Sequence, residues 1–161
     1  MPQYREATKT DLPAICMLGE EVNSLHHVAW PHIFASIGLP LRDLEHWSKS
    51  VERENATTLV AVEAGIIAGF VTISVVTETH SLLQPLRYAR VGSVGVTASL
   101  RGQGIGTKLM ALAERWARER GALDLRLNVY TFSEHALQMY KELGYEVLSH
   151  SMTKRLSPNG A

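Results

Sequence analysis

The sequence has little of several features that mark particular classes of protein. It contains one cysteine, Cys16, among 161 residues, so no internal disulfide framework can form. Its 16 Lys and Arg residues balance 16 Asp and Glu residues, and the formal net charge is +0. A neutral chain offers no broad electrostatic footprint for nucleic acid or for an anionic membrane surface. We therefore expect neither nucleic acid nor membrane as a partner.

Long hydrophobic runs are also lacking. The longest apolar-rich stretch, residues 66–76, is interrupted by Gly69, Thr72 and Ser74 and is too short to span a bilayer. The first residues, MPQYRE, contain no apolar segment of the kind that a secretory signal has. We therefore expect a cytoplasmic location.

Metal-binding and thiol chemistry have weak support in the sequence. His26, His27 and His32 lie close together, but no HExxH spacing or accompanying carboxylate completes a metal site. Cys16 falls in an apolar helical stripe, and nothing near it in the sequence favours a thiolate. We predict no metal site and a packing role for Cys16.

A glycine-rich turn between a strand pattern and an amphipathic helix is the most informative feature that the sequence does have. The turn reads Arg101-Gly102-Gln103-Gly104-Ile105-Gly106-Thr107. Glycines allow unusual backbone dihedrals and let a ligand approach the main chain closely. The first amides of the following helix have no intrahelical acceptor, and with the positive end of the helix dipole they attract phosphate. The turn therefore predicts a binding site for a phosphate-bearing cofactor.

Two common phosphate-binding motifs do not fit this turn. A GxxxxGK[ST] loop needs a Lys and a Ser or Thr at positions where this turn does not supply them. A GxGxxG dinucleotide fingerprint needs a third glycine where Thr107 stands, and it belongs to a first βα unit rather than to a turn two-thirds along the chain.

The pattern Arg101-x-x-Gly104-x-Gly106, preceded by Val94-x-Val96, resembles the acyl-CoA-binding motif of the GNAT family of N-acetyltransferases. LRLNV at 125–129 is similar to the family's fifth strand, and ALQMYKELGY at 136–145 is similar to its A-x-x-x-Y-x-x-x-G-F/Y segment. The resemblance covers residues 91–148 and extends more weakly to a hairpin at 57–76.

The resemblance implies an enzyme that uses acetyl-CoA, without a metal, to acetylate a primary amine of a small molecule or peptide by direct transfer. A non-catalytic CoA-binding or sensing module of the same fold is the alternative interpretation. A self-associating scaffold, in which the glycine turn is purely structural, is a third. The resemblance also implies a homodimer, since the family often pairs that way.

Candidate site residues follow from the same resemblance. Those expected to bind the cofactor are Val94, Val96, Arg101, Gly102, Gln103, Gly104, Ile105, Gly106, Thr107, Ser133 and Tyr140. The resemblance implies that the Tyr140 hydroxyl lies near the thioester sulfur. A tyrosine has an ordinary pKa of about 10, so at neutral pH this hydroxyl could donate a proton to the sulfur. The competing interpretation is a core tyrosine. Ser133 stands where the pattern often has Asn, so it either contacts the cofactor or caps a helix.

The catalytic base is less clear from the sequence. Gly92 and Ser93 occupy positions where some members of the family place a glutamate base. Glu78, at the end of the preceding predicted strand, is then the candidate base, with His80 beside it as a second choice. The competing interpretation is that both are ordinary exposed loop residues. Aromatic side chains near the first two helices are candidates for the acceptor pocket or for packing, namely Trp30, His32, Phe34 and Trp47.

The periodicities predict an α/β fold in a single GNAT-like domain at residues 1–156, followed by a flexible tail at 157–161. Strands are expected at 4–7, 57–63, 66–76, 87–96, 125–130, 145–150 and 152–156. Helices are expected after Thr10-Asp11, at 41–53, from Gly104 to Gly121 and at 133–143. Together these elements predict a mixed, mostly antiparallel twisted sheet of six to seven strands flanked by about four helices.

Overall fold

The computed structural model describes residues 1–158. Its elements in chain order are β1 (Gln3–Glu6), α1 (Leu12–Ala29), α2 (Leu44–Ser48), β2 (Ala56–Glu63), β3 (Ile66–Glu78), β4 (Leu86–Val96), α3 (Ile105–Glu119), β5 (Asp124–Arg126) and α4 (Glu134–Glu142). Short 3-10 turns cover Lys9–Asp11 and Ala98–Leu100. The chain divides into two units, Met1–Asn128 and Val129–Ala161.

The first unit is built on a five-stranded mixed sheet in the order β1-β2-β3-β4-β5. The pairings from β1 to β4 are antiparallel, and β5 runs parallel to β4. β2 and β3 are joined by Ala64 and Gly65, whose φ angles of 50° and 78° suit a turn that matches the twist of a hairpin. β5 pairs with β4 only at residues 88–90. Beyond Arg90 the outer edge of β4 therefore carries no strand in the described part of the chain.

α1 and α2 cover one face of this sheet. Ile15 of α1, Trp47 of α2 and Phe70 of β3 belong to one buried cluster, and the Trp47 and Phe70 rings meet edge to face at 5.2 Å. α1 also approaches β4 closely, because a Cβ on Gly95 would lie 2.8 Å from Cγ2 of Val22. The glycine at this position therefore allows α1 to cross β4.

α3 covers the opposite face. A Cβ on Gly69 would lie 3.1 Å from Cγ2 of Ile105 and 3.2 Å from Cδ1 of Leu109, so the absence of a side chain there lets the start of α3 lie against β3. Ile105 and Leu109 are 3% and 0% exposed. Their burial fixes the glycine-rich turn to the sheet.

The expected count of six to seven strands is wrong for the described residues, which form five. Residues 146–158 are exposed and lie in neither helix nor strand, so the expected strands at 145–150 and 152–156 are absent. The fifth strand is Asp124–Arg126 rather than 125–130. An alternating pattern predicts which side chains share a face of a strand. A strand must also form hydrogen bonds with an adjacent strand, and the pattern does not specify that partner.

The expected set of about four helices agrees with the four α-helices of the described residues. α2 is shorter than expected, at Leu44–Ser48 instead of 41–53. In the second unit, Ser133 precedes α4 and Gly144 follows it with a φ of 90°, which suits the end of a helix.

Two expectations about organisation stay predictions. The expected single domain at 1–156 includes both units of the chain. The expected flexible tail at 157–161 falls partly outside the described residues, of which Ser157 and Pro158 are exposed. Across residues 1–158 we find no helix long and apolar enough to cross a membrane.

Candidate active site

The glycine-rich turn forms an open cradle at the start of α3. Gly102 and Gly104 adopt φ angles of 77° and 82°, in the left-handed region that glycine tolerates best. A Cβ on either residue would meet no heavy atom within 4 Å, so the space beside the turn is open. Replacing these glycines would strain the backbone and direct a side chain into that space.

The amides of this helix start are available to a ligand. The first intrahelical bond runs from the Lys108 amide to the Gly104 carbonyl at 3.0 Å, and no side chain caps the helix. The amides of Ile105, Gly106 and Thr107 precede that bond and therefore have no acceptor within the helix. An anion placed there would receive hydrogen bonds and favourable charge from the helix dipole. The cradle thus fits the phosphate groups of a CoA molecule.

Arg101 braces the turn against the sheet and α1. Its Nε donates to the Val96 carbonyl at 2.9 Å, and its Nη2 donates to Oε1 of Glu21 at 3.1 Å. The same carboxylate oxygen accepts a hydrogen bond from the Ala98 amide at 3.1 Å. These contacts join Ala98 and Arg101, both in the loop between β4 and α3, to one carboxylate of α1. Arg101 therefore shapes the approach to the cradle.

β4 carries a bulge just before the segment expected to face the cofactor. Val71 pairs with Val94 and Ile73 pairs with Val91, so Gly92 and Ser93 together oppose Thr72. The Ser93 amide donates to Oγ1 of Thr72 at 2.9 Å, which replaces the missing ladder bond.

The bulge explains why position 92 holds no carboxylate. A Cβ on Gly92 would lie 2.6 Å from Oγ1 of Thr72, so no side chain fits there without displacing the threonine. The space that a side chain at position 92 would need is filled by the hydroxyl of Thr72.

Val94 and Val96 lie on the stretch of β4 whose outer edge has no strand partner. Both are partly buried, and on the inner side they pair with Val71 and Gly69. The Val96 carbonyl already accepts the hydrogen bond from Arg101. The outer edge between Val91 and Val96 is therefore where an extended ligand could pair with main chain.

Glu78 lies far from this stretch. It ends β3 opposite Leu86, and its Oε1 accepts a hydrogen bond from the His80 amide at 3.1 Å. Since Thr72 marks the bulge, the six residues from Thr72 to Glu78 place the two roughly 20 Å apart along the strand. Glu78 cannot take a proton directly from an amine held at the bulge.

Tyr140 and Ser133 belong to the second unit. Tyr140 lies on α4, is 8% exposed, and meets the Tyr145 ring edge to face at 5.6 Å. Burial raises the pKa of Tyr140 above its ordinary value, so the hydroxyl stays protonated at neutral pH. Ser133 occupies the N-cap position of α4, but its side chain makes no capping hydrogen bond.

The other sequence candidates are held by local packing. Cys16 is 3% exposed, and burial raises the pKa of its thiol, which fits a packing role. Trp47 is 8% exposed in the core against Phe70, so its candidacy for the acceptor pocket is wrong. Trp30 stacks on His32 with ring centroids 6.0 Å apart. Within residues 1–158 no group of three His, Cys, Asp or Glu side chains could hold a metal.

Three features of the site were missed by sequence reasoning. They are the Glu21 carboxylate that braces the turn, the Thr72 hydroxyl in the bulge, and a pair of arginines beside the bulge, Arg90 and Arg126. Each depends on strand register or on helix placement across long sequence separations.

Comparison with known proteins places the chain in a family. The model of the Acetyltransferase (GNAT) family matches residues 20–145. The chain therefore belongs to the GNAT acetyltransferase family, as its glycine turn and its Tyr140 segment predict.

Curated relatives share part of the chain. It is 35% identical over 95 residues to a streptothricin acetyltransferase of Streptomyces lavendulae, covering 58% of this chain and 47% of that protein. It is 32% identical over 74 residues to the N-acetyltransferase YdgE of Bacillus subtilis, whose function is uncharacterized, covering 46% of this chain and 47% of that protein. The chain thus spans about half the length of the curated relatives it matches.

Solved structures share the fold over nearly the whole chain. A mutant of the BH1408 protein from Bacillus halodurans is 24% identical, with a TM-score of 0.90 over 96% of this chain and 99% of that one. The aminoglycoside N-acetyltransferase AAC(6')-Iy, solved in complex with CoA, is 18% identical with a TM-score of 0.76 over 96% and 94%. At these sequence identities, the structural similarity shows that this chain has the same fold as those proteins.

Proposed function

We propose that this protein transfers the acetyl group of acetyl-CoA directly to a primary amine of a small molecule or peptide. The observation that carries the proposal is the open cradle of left-handed glycines at the start of α3, next to the free outer edge of β4. The first feature suits the phosphates of CoA, and the second suits its extended amide-bearing arm. Both belong to one continuous stretch, from Val91 to Thr107.

The register of β4 suggests where the thioester lies. With the phosphates at residues 103–107, the arm runs back along β4 past Val96 and Val94. Its far end then reaches the bulge at Gly92 and Ser93, close to Arg90, where β5 joins the sheet. The acceptor amine approaches the thioester beside the bulge.

The reaction requires one bond to form and one to break. A neutral amine attacks the thioester carbonyl, a C–N bond forms, and the C–S bond breaks as the amine loses a proton to water. We assign to Tyr140 the donation of a proton or hydrogen bond to the departing sulfur, since its burial keeps it protonated. If the proton is transferred, the tyrosinate regains one from water, which has taken up the proton of the amine. Because Glu78 lies far along β3, we assign no direct proton transfer to it; Glu78 could act as the base only through intervening water molecules.

A non-catalytic CoA-binding module is the second candidate. It is favoured by the bulge, where Gly92 leaves no room for a carboxylate base. Such a module would bind CoA through the same cradle but would release no thiol when amines are added.

The experiment compares two glycines with the same backbone conformation. Gly104→Glu places a carboxylate in the cradle, where φ is 82°, whereas Gly65→Glu places one in the β2–β3 turn, where φ is 78° and the space is also open. CoA affinity is measured by calorimetry, and thiol release from acetyl-CoA is measured against a panel of amines. We expect Gly104→Glu to weaken CoA binding at least about 100-fold through backbone strain and charge repulsion.

The outcomes separate the candidates. Gly65→Glu should bind CoA as the wild type does. Unchanged CoA binding by Gly104→Glu would contradict the cradle assignment. Tight CoA binding by the wild type with no amine-dependent thiol release would favour the non-catalytic module.

We further propose that the protein forms a homodimer. Several large apolar side chains of the second unit are strongly exposed, among them Val147, Leu148, Met152 and Leu156 at 64%, 75%, 93% and 78%. Exposed apolar side chains of this kind gain stability when a partner covers them.

The expected cytoplasmic location stays a prediction from the sequence.

A further inference from the structure

Two arginines lie side by side next to the bulge of β4. Arg90 of β4 and Arg126 of β5 are direct partners in the parallel pairing of these strands. Both guanidinium groups approach Tyr88, with the Arg126 Cζ 4.3 Å and the Arg90 Cζ 5.9 Å from the ring centroid. Nη2 of Arg90 also donates to the Tyr88 hydroxyl at 3.1 Å. Tyr88 is 4% exposed, so it holds the pair against the sheet.

This pair is short of negative charge. Like charges at directly paired strand positions repel each other. Within residues 1–158, one carboxylate lies within ion-pair distance of these guanidinium groups. It belongs to Asp124 and lies 3.7 Å from Arg126. The side chains of that ion pair are 36% and 52% exposed, so the attraction is screened by water. Two guanidinium groups are thus available to an anion.

Arg90 lies on the same face of the sheet as α1. Along β3, Phe70, Ser74 and Val76 alternate onto the face that α1 covers, and Arg90 and Tyr88 pair with Ser74 and Val76. Arg90 therefore points to the α1 face.

Arg90 is also close to the bulge. Gly92 and Ser93 follow it by two and three residues, roughly 7–10 Å along the strand. Both guanidinium groups lean toward Tyr88, which precedes Arg90 on β4, and so away from the bulge that follows it. A molecule with its amine at the bulge would therefore need an anionic group several bonds away to reach them.

We infer that the acceptor is a small amine that also carries a carboxylate, and that Arg90 and Arg126 bind this carboxylate. This inference rests on the proposed acetyl transfer and names its substrate class. Paired guanidinium groups suit a carboxylate because each presents planar N–H donors. The same two charges would repel a polycation, so aminoglycosides and polyamines are disfavoured.

The experiment uses pairs of amines in which a carboxylate is replaced by a neutral carboxamide of similar size. Thiol release from acetyl-CoA is measured with α-amino acids, with longer ω-amino acids and with the carboxamide of each. The amine of each carboxamide is less basic than the amine of the corresponding acid, so a larger fraction of it is unprotonated at a given pH. This difference in basicity alone would make the carboxamide the faster substrate. For at least one pair we expect kcat/KM to be about tenfold or more higher for the acid, the effect of a charge-assisted hydrogen bond.

The variants test which residues cause the preference. Arg90→Gln and Arg126→Gln should each reduce the acid-to-amide ratio to near one by raising KM for the acid, with kcat and CoA affinity little changed. Arg126→Lys should restore part of the ratio. Arg115→Gln, on the exposed side of α3 with its side chain 72% exposed, is the matched control and should leave the ratio unchanged.

The outcomes distinguish this inference from the proposed function. CoA binding with equal or better turnover of neutral or cationic amines overturns the inference and leaves the enzyme in place. CoA binding with no turnover of any carboxylate-bearing amine overturns the inference too. Loss of the acid preference in Arg115→Gln would show that the pair does not act specifically. Absence of CoA binding would instead contradict the proposed function itself.

Discussion

Tyr140 is the residue on which the chemical step of the proposed reaction depends. It is buried on α4, and its raised pKa favours the neutral form, which can donate a proton. A group with this role contributes mainly in the transition state and little to cofactor binding. A tyrosine used only for packing would contribute to stability instead.

Tyr140→Phe should therefore lower kcat by about 100-fold while CoA affinity stays within about twofold. Phenylalanine keeps the ring and its packing against Tyr145, so the unfolding temperature should change little. Steady-state kinetics and calorimetric CoA binding measure the two quantities. An undiminished kcat would leave Tyr140 as a core residue.

The pH dependence of the same step follows from the direction of the pKa shift. A tyrosine whose pKa is raised above its ordinary value of about 10 stays protonated across the neutral range and loses its proton only in more alkaline solution. Tyr140 should therefore cause no fall in kcat between about pH 7 and pH 9. A fall in that range that disappears in Tyr140→Phe would contradict the assignment.

Individual residues of the cradle could be predicted because their roles are local. Gly102 and Gly104 need positive φ angles in a turn that the sequence itself marks by its glycine spacing. Arg90 and Arg126 could not be predicted, since they become neighbours only through the parallel pairing of β4 and β5.

At the scale of elements, the bulge in β4 joins fold and site. Thr72 is 8% exposed, and its hydroxyl is the acceptor for the Ser93 amide. After the bulge, Val94 to Val96 return to register with β3, and the outer edge of this stretch has no strand partner among the described residues. The shape of the bulge thus depends on one hydroxyl in the neighbouring strand.

Thr72→Val should destabilise the protein by about 1–3 kcal/mol, because a partly buried amide loses its acceptor without a change in side-chain volume. For a chain of this size, each kcal/mol of lost unfolding free energy lowers Tm by about 2–4 °C, and calorimetry can measure this change. Activity should fall as well, since the bulge lies beside the proposed thioester position.

Thr72→Ser is the matched control for this prediction. Serine keeps the hydroxyl and loses one methyl group, so it should retain most of the stability and activity. If Thr72→Val were as stable and active as Thr72→Ser, the hydrogen bond to Ser93 would have no role in holding the bulge.

Elements with strong local patterns could be predicted from the sequence with small shifts at their ends. β3 and β4 and the long helices α1 and α3 are examples. The strands expected at 145–150 and 152–156 were wrong, because their pairing depends on an edge that the sequence pattern does not identify. The bulge was missed for the same reason, since register is decided between strands rather than within one.

At the scale of the whole molecule, the second unit is the part whose sequence pattern and structure disagree. Strands are expected at 145–150 and 152–156, yet in this structure residues 146–158 are exposed and form none. An apolar segment of this kind gains stability when another surface covers it. A second copy of the chain would offer the same segment in return, as symmetric dimers do.

The proposed homodimer is tested by the double substitution Val147→Ser with Leu148→Ser, which removes two exposed apolar side chains of the second unit. We expect the wild type to sediment as a dimer at micromolar concentrations and the double variant to shift toward monomer, with its far-ultraviolet circular dichroism unchanged. Ile66→Ser is the control, because Ile66 is 70% exposed at the start of β3, far in sequence from the second unit. A wild type that sediments as a monomer, or an Ile66→Ser variant that dissociates equally, would contradict the assignment of this surface to the dimer.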